Sequence, residues 1–183
     1  MKIGIISDTH DDIENTVHAI DLFNVYEVDY VIHAGDYVFP GIVREFEKLK
    51  AKFVGVLGNN DGERMHLLKN FLDIKGDLKG ELGELEIDGI RFGVYHGTVG
   101  EIKNQLVSSG RYDILICGHT HKIELPTRKL TERHTSDDLR SSTLVLNPGT
   151  AHKKVQSISG AFNEGGIIIF QTRTYDYEFI NLP

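Results

Sequence analysis

Apolar runs of strand length alternate with amphipathic segments along most of this 183-residue chain. Lys2 to Ser7 predicts a first strand, and Ile13, Val17, Ile20 and Phe23 fall near one face of a helix that begins at about Ile13. Tyr30 to Ala34 predicts a second strand leading to a Pro40-started helix through Lys50. Phe53 to Leu57 predicts a third, leading to a helix over about Arg64 to Phe71. Repeated β-α-β units imply parallel pairing. After a Gly-rich stretch, Lys75 to Gly83, the pattern changes to a hairpin in which Leu85 to Ile87 and Ile90 to Tyr95 flank the turn Asp88-Gly89. A helix near Val99 to Ser108, a strand over Asp113 to Cys117, and three further strands at Thr143 to Leu146, Gly166 to Phe170 and Tyr175 to Ile180 complete the reading. The expectation is an α/β fold of two packed sheets with helices outside.

One segment breaks the alternation. Between Glu124 and Ser142 the chain is polar and charged, with Arg128, Lys129, Glu132, Arg133, Asp137, Asp138 and Arg140 and almost no apolar periodicity. It reads as an insertion, either a mobile solvated loop or a lid over a neighbouring site. The length and the 40% apolar composition suit a single domain over residues 1–183 with one good core.

Composition narrows the function classes. No run of about 18 apolar residues exists to span a bilayer, and the N-terminus lacks the features of a signal peptide, so the expected location is cytoplasmic with no membrane partner. A net charge of −7 argues against a nucleic-acid polymer as partner, because such binding needs a basic face to replace counterions. The single cysteine, Cys117, follows the apolar run Ile114-Leu115-Ile116 and fits a small core residue.

Candidate chemistry is concentrated at the ends of the predicted strands. Asp8-Thr9-His10 follows the first, Gly35-Asp36 the second and Gly58-Asn59-Asn60-Asp61 the third; His96-Gly97 follows the hairpin, and Gly118-His119-Thr120-His121 the strand ending at Cys117. Loops at the carboxyl ends of parallel strands open onto one edge, where residues distant in sequence converge. A lone Asp or His at such a place is ordinarily a cap; five ordered clusters favour metal binding. The donors are carboxylate, imidazole and amide without thiolate, a set suited to Mn²⁺, Fe, Zn²⁺ or Ni²⁺. Seven donors are too many for one ion, and a shared carboxylate lets them hold a pair at about 3.5 to 4 Å, the spacing at which a phosphate bridges both ions and a hydroxide attacks in line. Two divalent cations bring four positive charges against the two carboxylates of Asp8 and Asp36, so the centre attracts a phosphate ester.

The order D-x-H, G-D, G-N-x-D, H-G, G-H-x-H over Asp8 to His121 resembles the signature of the calcineurin-like metallophosphoesterases. Chain length and the turn Asn147-Pro148-Gly149 make it similar to their small YfcE-like phosphodiesterase branch. The resemblance implies a four-layer αββα arrangement, a two-sheet β-sandwich flanked by helices. It also implies a first metal held by Asp8, His10 and His121, a second held by Asn59, His96 and His119, and Asp36 bridging both, most often as Mn²⁺. Catalytic positions are then expected in the loop of Asn59, Asn60 and Asp61. The implied activity is hydrolysis of a small phosphodiester by a bridging hydroxide. A phosphomonoesterase, a protein phosphatase and a non-catalytic scaffold like the retromer subunit of similar fold are the alternatives. Members of this branch often self-associate, which makes a homo-oligomer an expectation.

Two positions depart from the family pattern. Many members read G-N-H-D, where the His stabilises the transition state or protonates the leaving group, but here Asn60 stands in its place. An amide donates a hydrogen bond but not a catalytic proton, which points to esters with acidic leaving groups. Thr98 likewise stands where related enzymes often carry His. Asp61 reads either as an orienting partner of a neighbour or as part of an Asp-Gly turn. His18, His33, His66, His134 and His152 lie outside the motifs and read as surface or satisfied core residues, and Arg64 and Lys122 as surface charge.

Overall fold

The computed structural model describes residues 1–126, 143–153 and 165–183. The chain begins β1 (Lys2–Ile6), α1 (Ile13–Val25), β2 (Tyr30–His33), a 3₁₀ helix (Pro40–Lys48), β3 (Lys52–Gly55), α2 (Arg64–Asp73) and β4 (Asp77–Leu78). It continues β5 (Leu82–Ile87), β6 (Ile90–Tyr95), α3 (Gly100–Ser108), β7 (Ile114–Ile116), β8 (Ile123–Glu124), β9 (Leu144–Pro148), β10 (Gly166–Gln171) and β11 (Tyr177–Asn181). A six-stranded sheet has the order β11-β10-β1-β2-β3-β4, and a five-stranded sheet the order β5-β6-β7-β9-β8. β1 through β4 pair in parallel, as do β6, β7 and β9.

Strand alternation divides the core into layers. In β1, Ile3 and Ile5 point into the space between the sheets, where they meet Phe92, Val94, Ile116 and Phe170. Ile6 points the other way, into a second cluster with Phe23 of α1, Phe46 of the 3₁₀ helix and Phe71 of α2. A smaller cluster of Tyr95, Tyr112, Leu115 and Cys117 receives Leu106 and Val107 of α3. The result is the expected sandwich with a helical layer on each outer face. Cys117 is a core residue, and burial pushes its thiol up to about 12.

The helices differ from expectation in detail. In α1 the inward face is Asn15, Thr16, Ala19, Ile20 and Phe23, while Ile13 is 56% exposed. The two polar residues tolerate burial because Asn15 Nδ2 donates to the Pro183 carbonyl at 3.2 Å and the Thr16 hydroxyl donates to the Asp12 carbonyl at 2.7 Å. The Pro40-started segment is a 3₁₀ helix and ends at Lys48. Pro40, Val43 and Phe46 recur at intervals of three, and a three-residue turn stacks them on one buried side. Phe46 stacks on Phe53 at 4.3 Å between ring centroids, and Phe53 on Phe71 at 4.8 Å, which joins this helix to α2.

The Gly-rich stretch is partly strand. β4 adds a parallel edge beside β3, and β5 begins at Leu82, before the expected Leu85. β8 pairs antiparallel with β9, at the start of the segment read as an insertion. The rest of that segment, 127–142, lies outside the described residues, as does His134. Tyr175 precedes β11, which starts at Tyr177. Among the described residues no helix is long and apolar enough to cross a membrane.

Phe23 is fully buried, and its ring fills the space over Gly4, where an added Cβ would lie 2.5 Å from it. Phe23→Ala therefore removes a large side chain from a packed layer without a ready replacement. The expected loss is about 3–5 kcal/mol of folding stability, read as a lower urea midpoint with an unchanged slope.

Candidate metal centre

The parallel strands place their following loops on one edge, and these loops bring the acidic and imidazole side chains together. Asp8, His10 and His121 offer one set of donor atoms lying within 4.8 Å of one another, and Asp8, Asp36 and His96 offer a second. Asp8 belongs to both. Its Oδ2 accepts from the Ser7 hydroxyl at 2.5 Å and from the His119 N–H at 3.0 Å. Its Oδ1 faces His121 Nε2 at 3.2 Å and His10 Nε2 at 3.6 Å. Asp36 Oδ2 lies 3.3 Å from His96 Nε2 and 3.6 Å from His10 Nε2, between residues expected to serve different ions. Both carboxylates thus occupy central positions.

Three features of these residues fit cations. Asp8 Oδ1 and His96 Nε2 are buried without a hydrogen-bond partner, a costly condition that a positive ion relieves. His96 Nδ1 stands 2.8 Å from the Ala34 carbonyl, which fixes its proton there and turns the Nε2 lone pair towards the carboxylates. His10 Nε2 and His121 Nε2 face each other at 3.1 Å, two nitrogens converging on one point. Asp8, His10, Asp36, His119 and His121 all adopt positive φ, between 40° and 68°, a strained conformation for side-chain-bearing residues that clusters at functional sites.

The charges respond to one another. Burial alone would raise the Asp8 carboxyl, but the facing His10 and His121 and the charge of His96 hold it well below the usual range. Burial also works to raise Asp36, against the attraction of His96 and the hydrogen bonds from Asn60, which prevail. His10 is raised chiefly by Asp8; His96 is raised because Asp36 and Asp8 outweigh its burial. His119 is lowered by burial and by the charge of His96. Neutral imidazole is the ligand form, so protons compete with a cation most strongly at His10 and His96.

Asn59 and His119 stand at the margin. The Asn59 side chain is exposed and its Oδ1 accepts from the Thr98 hydroxyl at 3.4 Å. The His119 ring packs edge-on against His96 at 5.2 Å. Asn60 makes two bonds to Asp36: its N–H donates to Oδ1 at 2.9 Å and its Nδ2 to Oδ2 at 2.7 Å.

Asp61 is buried and acts as a backbone clamp. Its Oδ2 accepts from the N–H groups of Gly58 at 2.7 Å and Asp36 at 3.0 Å, and its Oδ1 from those of Tyr37 at 2.8 Å and Val38 at 3.0 Å. It therefore ties the loop after β3 to the loop after β2, and its hydrogen bonds go to backbone N–H groups and not to the Asn60 side chain. The loops meet so closely that Gly58 has no room for a side chain: an added Cβ would fall 2.1 Å from Asp36 Oδ1. Gly118 is similarly required, since a Cβ there would lie 1.9 Å from Ser7 Oγ.

Two supporting residues were not assigned a site role by sequence reasoning. His33 is a fully buried core histidine, as expected of it, yet its Nδ1 accepts from the Gly35 N–H at 3.1 Å and its Nε2 lies 3.2 Å from the Thr9 hydroxyl. It thus links the first two ligand loops, and burial lowers it to about 3, so the ring is neutral. His152 brings its ring to 6.1 Å from that of His10, held by its own N–H on the Asp8 carbonyl at 3.2 Å. The signal was the turn before it: Asn147 Nδ2 donates to the Gly118 carbonyl at 2.9 Å, so this turn buttresses the loop of His119 and His121. Arg64 pairs with Glu81 at 2.9 Å on the surface.

Replacing one Asp61 oxygen with an amide aims a donor at N–H groups that now have no acceptor. Asp61→Asn is expected to weaken Mn²⁺ binding about 10- to 100-fold, measured by titration calorimetry, while near-ultraviolet circular dichroism confirms that the core persists. Unchanged affinity in a folded variant would show that the clamp does not position the centre.

Residues 1–169 match the family described as the calcineurin-like phosphoesterase superfamily domain. The chain is 41% identical over 150 residues to Phosphodiesterase MJ0936 of Methanocaldococcus jannaschii, covering 81% of this chain and 83% of that protein. The solved structure of an archaeal phosphodiesterase superposes with a TM-score of 0.81 at 35% identity, covering 100% of both chains. YfcE, a phosphoesterase from E. coli, shares the fold with a TM-score of 0.58 at 18% identity, over 99% of this chain and 100% of that one. This chain belongs to the calcineurin-like phosphoesterase superfamily.

Proposed function

We propose that the protein hydrolyses phosphodiesters at a centre of two divalent metal ions, with Mn²⁺ first among Mn²⁺, Fe, Zn²⁺ and Ni²⁺. The observation that carries this reading is the convergence of two buried carboxylates and their histidines from separate loops, with Asp8 Oδ1 and His96 Nε2 left without partners. The 41% identity to a phosphodiesterase supports the same reaction class. When bound, the two cations supply Lewis acidity towards the phosphoryl group and lower the pKa of the attacking water. Asp8, His10 and His121 are the proposed holders of the first ion; His96, His119 and Asn59 are those of the second, and Asp36 is shared. The reading includes a small diester as substrate, a single domain, a cytoplasmic location and self-association.

This chain's own residues set orientation and proton supply. Asp61, His33 and Asn147 hold the ligand loops in register through backbone hydrogen bonds. Asn60 holds Asp36 with its side-chain amide and has no acidic proton to give at neutral pH. The leaving oxygen consequently departs without help from this position, which favours acidic leaving groups such as phenols.

The first test is the rate on bis(p-nitrophenyl) phosphate against p-nitrophenyl phosphate, using metal-stripped protein refilled with Mn²⁺. Diester turnover that depends on metal and falls at least about 100-fold in Asp36→Asn is the expected result. A monoester preference would replace the diesterase reading with a phosphatase, and no turnover with metal bound would favour a scaffold.

Asn60→His introduces an imidazole at the position that now carries an amide. It should raise kcat for alkyl diesters by about tenfold or more while changing aryl diesters little, because only poor leaving groups need the proton. Equal changes in both series would remove leaving-group protonation from the account.

A further inference from the structure

Beside the loops after β2 and β3, the first half of the 3₁₀ helix and α2 line an open cavity of about 540 Å³. Its walls combine an exposed aromatic ring with cations. The Phe39 ring is 64% exposed and lies over Gly41, where an added Cβ would fall 2.2 Å from it. Glycine at that position therefore gives the ring its seat. Arg44 Nε donates to Asn70 Oδ1 at 3.3 Å, and buried Asn70 is itself fixed by donating to the Pro40 carbonyl at 2.8 Å. Glu63 and His66 also line the cavity, with His66 Nδ1 2.6 Å from the Glu63 carboxylate. Among the described residues no carboxylate pairs with Arg44 or Lys69, so two cations stand in this lining against the one carboxylate of Glu63.

The cavity shares its backbone with the metal centre. Phe39 stands three residues after Asp36, and the Phe39 N–H donates to Asp11 Oδ1 at 2.6 Å, next to His10. Glu63 stands two residues after Asp61, whose carboxylate binds the Asp36 N–H. Three extended residues span at most about 11 Å, so along the backbone Phe39 lies within about a nucleotide's length of Asp36. Aromatic faces stack bases of any identity, and Arg or Lys beside them takes a phosphate.

We infer that this cavity is a subsite for the non-reacting end of the substrate, and that it takes a nucleoside carrying a second phosphate. The base lies against Phe39, and the second phosphate lies against Arg44 and Lys69. The substrate class is accordingly a nucleotide diester of short length, an assignment that rests on the phosphodiesterase reading for the reaction next door. In that reaction a water oxygen joins phosphorus, the bond from phosphorus to the leaving oxygen breaks, and one proton is released.

Three esters with one chromophore test the subsite in the Mn²⁺-loaded protein: methyl p-nitrophenyl phosphate, thymidine 5′-(p-nitrophenyl phosphate), and the latter carrying a 3′-phosphate. The leaving group is constant, so differences report the retained end. kcat/KM should rise along the series. Phe39→Ala should lower the ratio of nucleoside to methyl ester about 5- to 100-fold. Arg44→Ala and Lys69→Ala should each lower the ratio of 3′-phosphorylated to unphosphorylated nucleoside ester about two- to fivefold. Equal kcat/KM for all three esters, or variants that lower all three in proportion, would overturn the assignment. If no ester is hydrolysed, the hydrolase reading fails and the cavity is judged separately by calorimetry with thymidine 3′,5′-bisphosphate. Saturable binding that Phe39→Ala weakens supports the subsite, and absence of binding overturns it.

Discussion

Bringing Asp8 and Asp36 together in a buried space is the constraint on which the rest of this structure turns. Two carboxylates within 4.8 Å of shared imidazole nitrogens repel one another and lose hydration. The protein answers part of this cost with its own groups. Ser7 and the His119 N–H take one oxygen of Asp8, and Asn60 takes both oxygens of Asp36. One Asp8 oxygen and one His96 nitrogen remain without a hydrogen bond. A fold selected only for stability would satisfy or remove them, because unpaired buried polar atoms cost about 1–3 kcal/mol each. Their survival at the point where the donor atoms converge fits a cation site.

Holding these groups in place requires rigid loops, and the support comes from backbone hydrogen bonds more than from packing. Asp61 closes the loops after β2 and β3 onto each other through four N–H groups. His33 joins the loops after β1 and β2, and Asn147 reaches the loop after β7 from the end of β9. The same density explains the glycines of the motif. Where Gly58 meets Asp36 and Gly118 meets Ser7, any side chain would part loops whose spacing sets the donor geometry. Backbone strain at five of the assigned ligands is tolerated because the surrounding bonds overdetermine their conformation.

The sequence made much of this legible because the fold is parallel at its centre. Strand-length apolar runs located nearly every strand of the two sheets, and strand-end loops of a parallel sheet gather on one edge irrespective of helix detail. Asp8, Asp36 and His96 could thus be placed together from their positions alone. What periodicity missed has identifiable causes. β4 and β8 are two residues each, too short to show alternation. The Pro40 segment has a three-residue recurrence that a 3.6-residue template also accepts. In α1 the buried polar residues Asn15 and Thr16 are satisfied by the Pro183 and Asp12 carbonyls, one of them distant in sequence. For Asp61 the sequence leaves an orienting role and an ordinary Asp-Gly turn equally open, because its role depends on which N–H groups face it, and only tertiary structure determines that.

A division of labour follows from where each residue sits along its loop. Residues immediately after the strands, such as Asp8 and Asp36, are enclosed by neighbouring loops, and small changes there would disturb several hydrogen bonds at once. Residues a few positions further on, Phe39 after Asp36 and Glu63 after Asp61, have passed out of that enclosure to the start of the following helices. Both are exposed, and neither side chain is among the donors that converge at the centre. In the proposed reading, selectivity belongs to the helix starts and the reaction to the strand ends. Asn60 lies at the boundary: the residue is exposed, yet its backbone N–H and its side-chain amide both hold Asp36, and in the proposed reading it is there that chemistry and substrate choice become coupled.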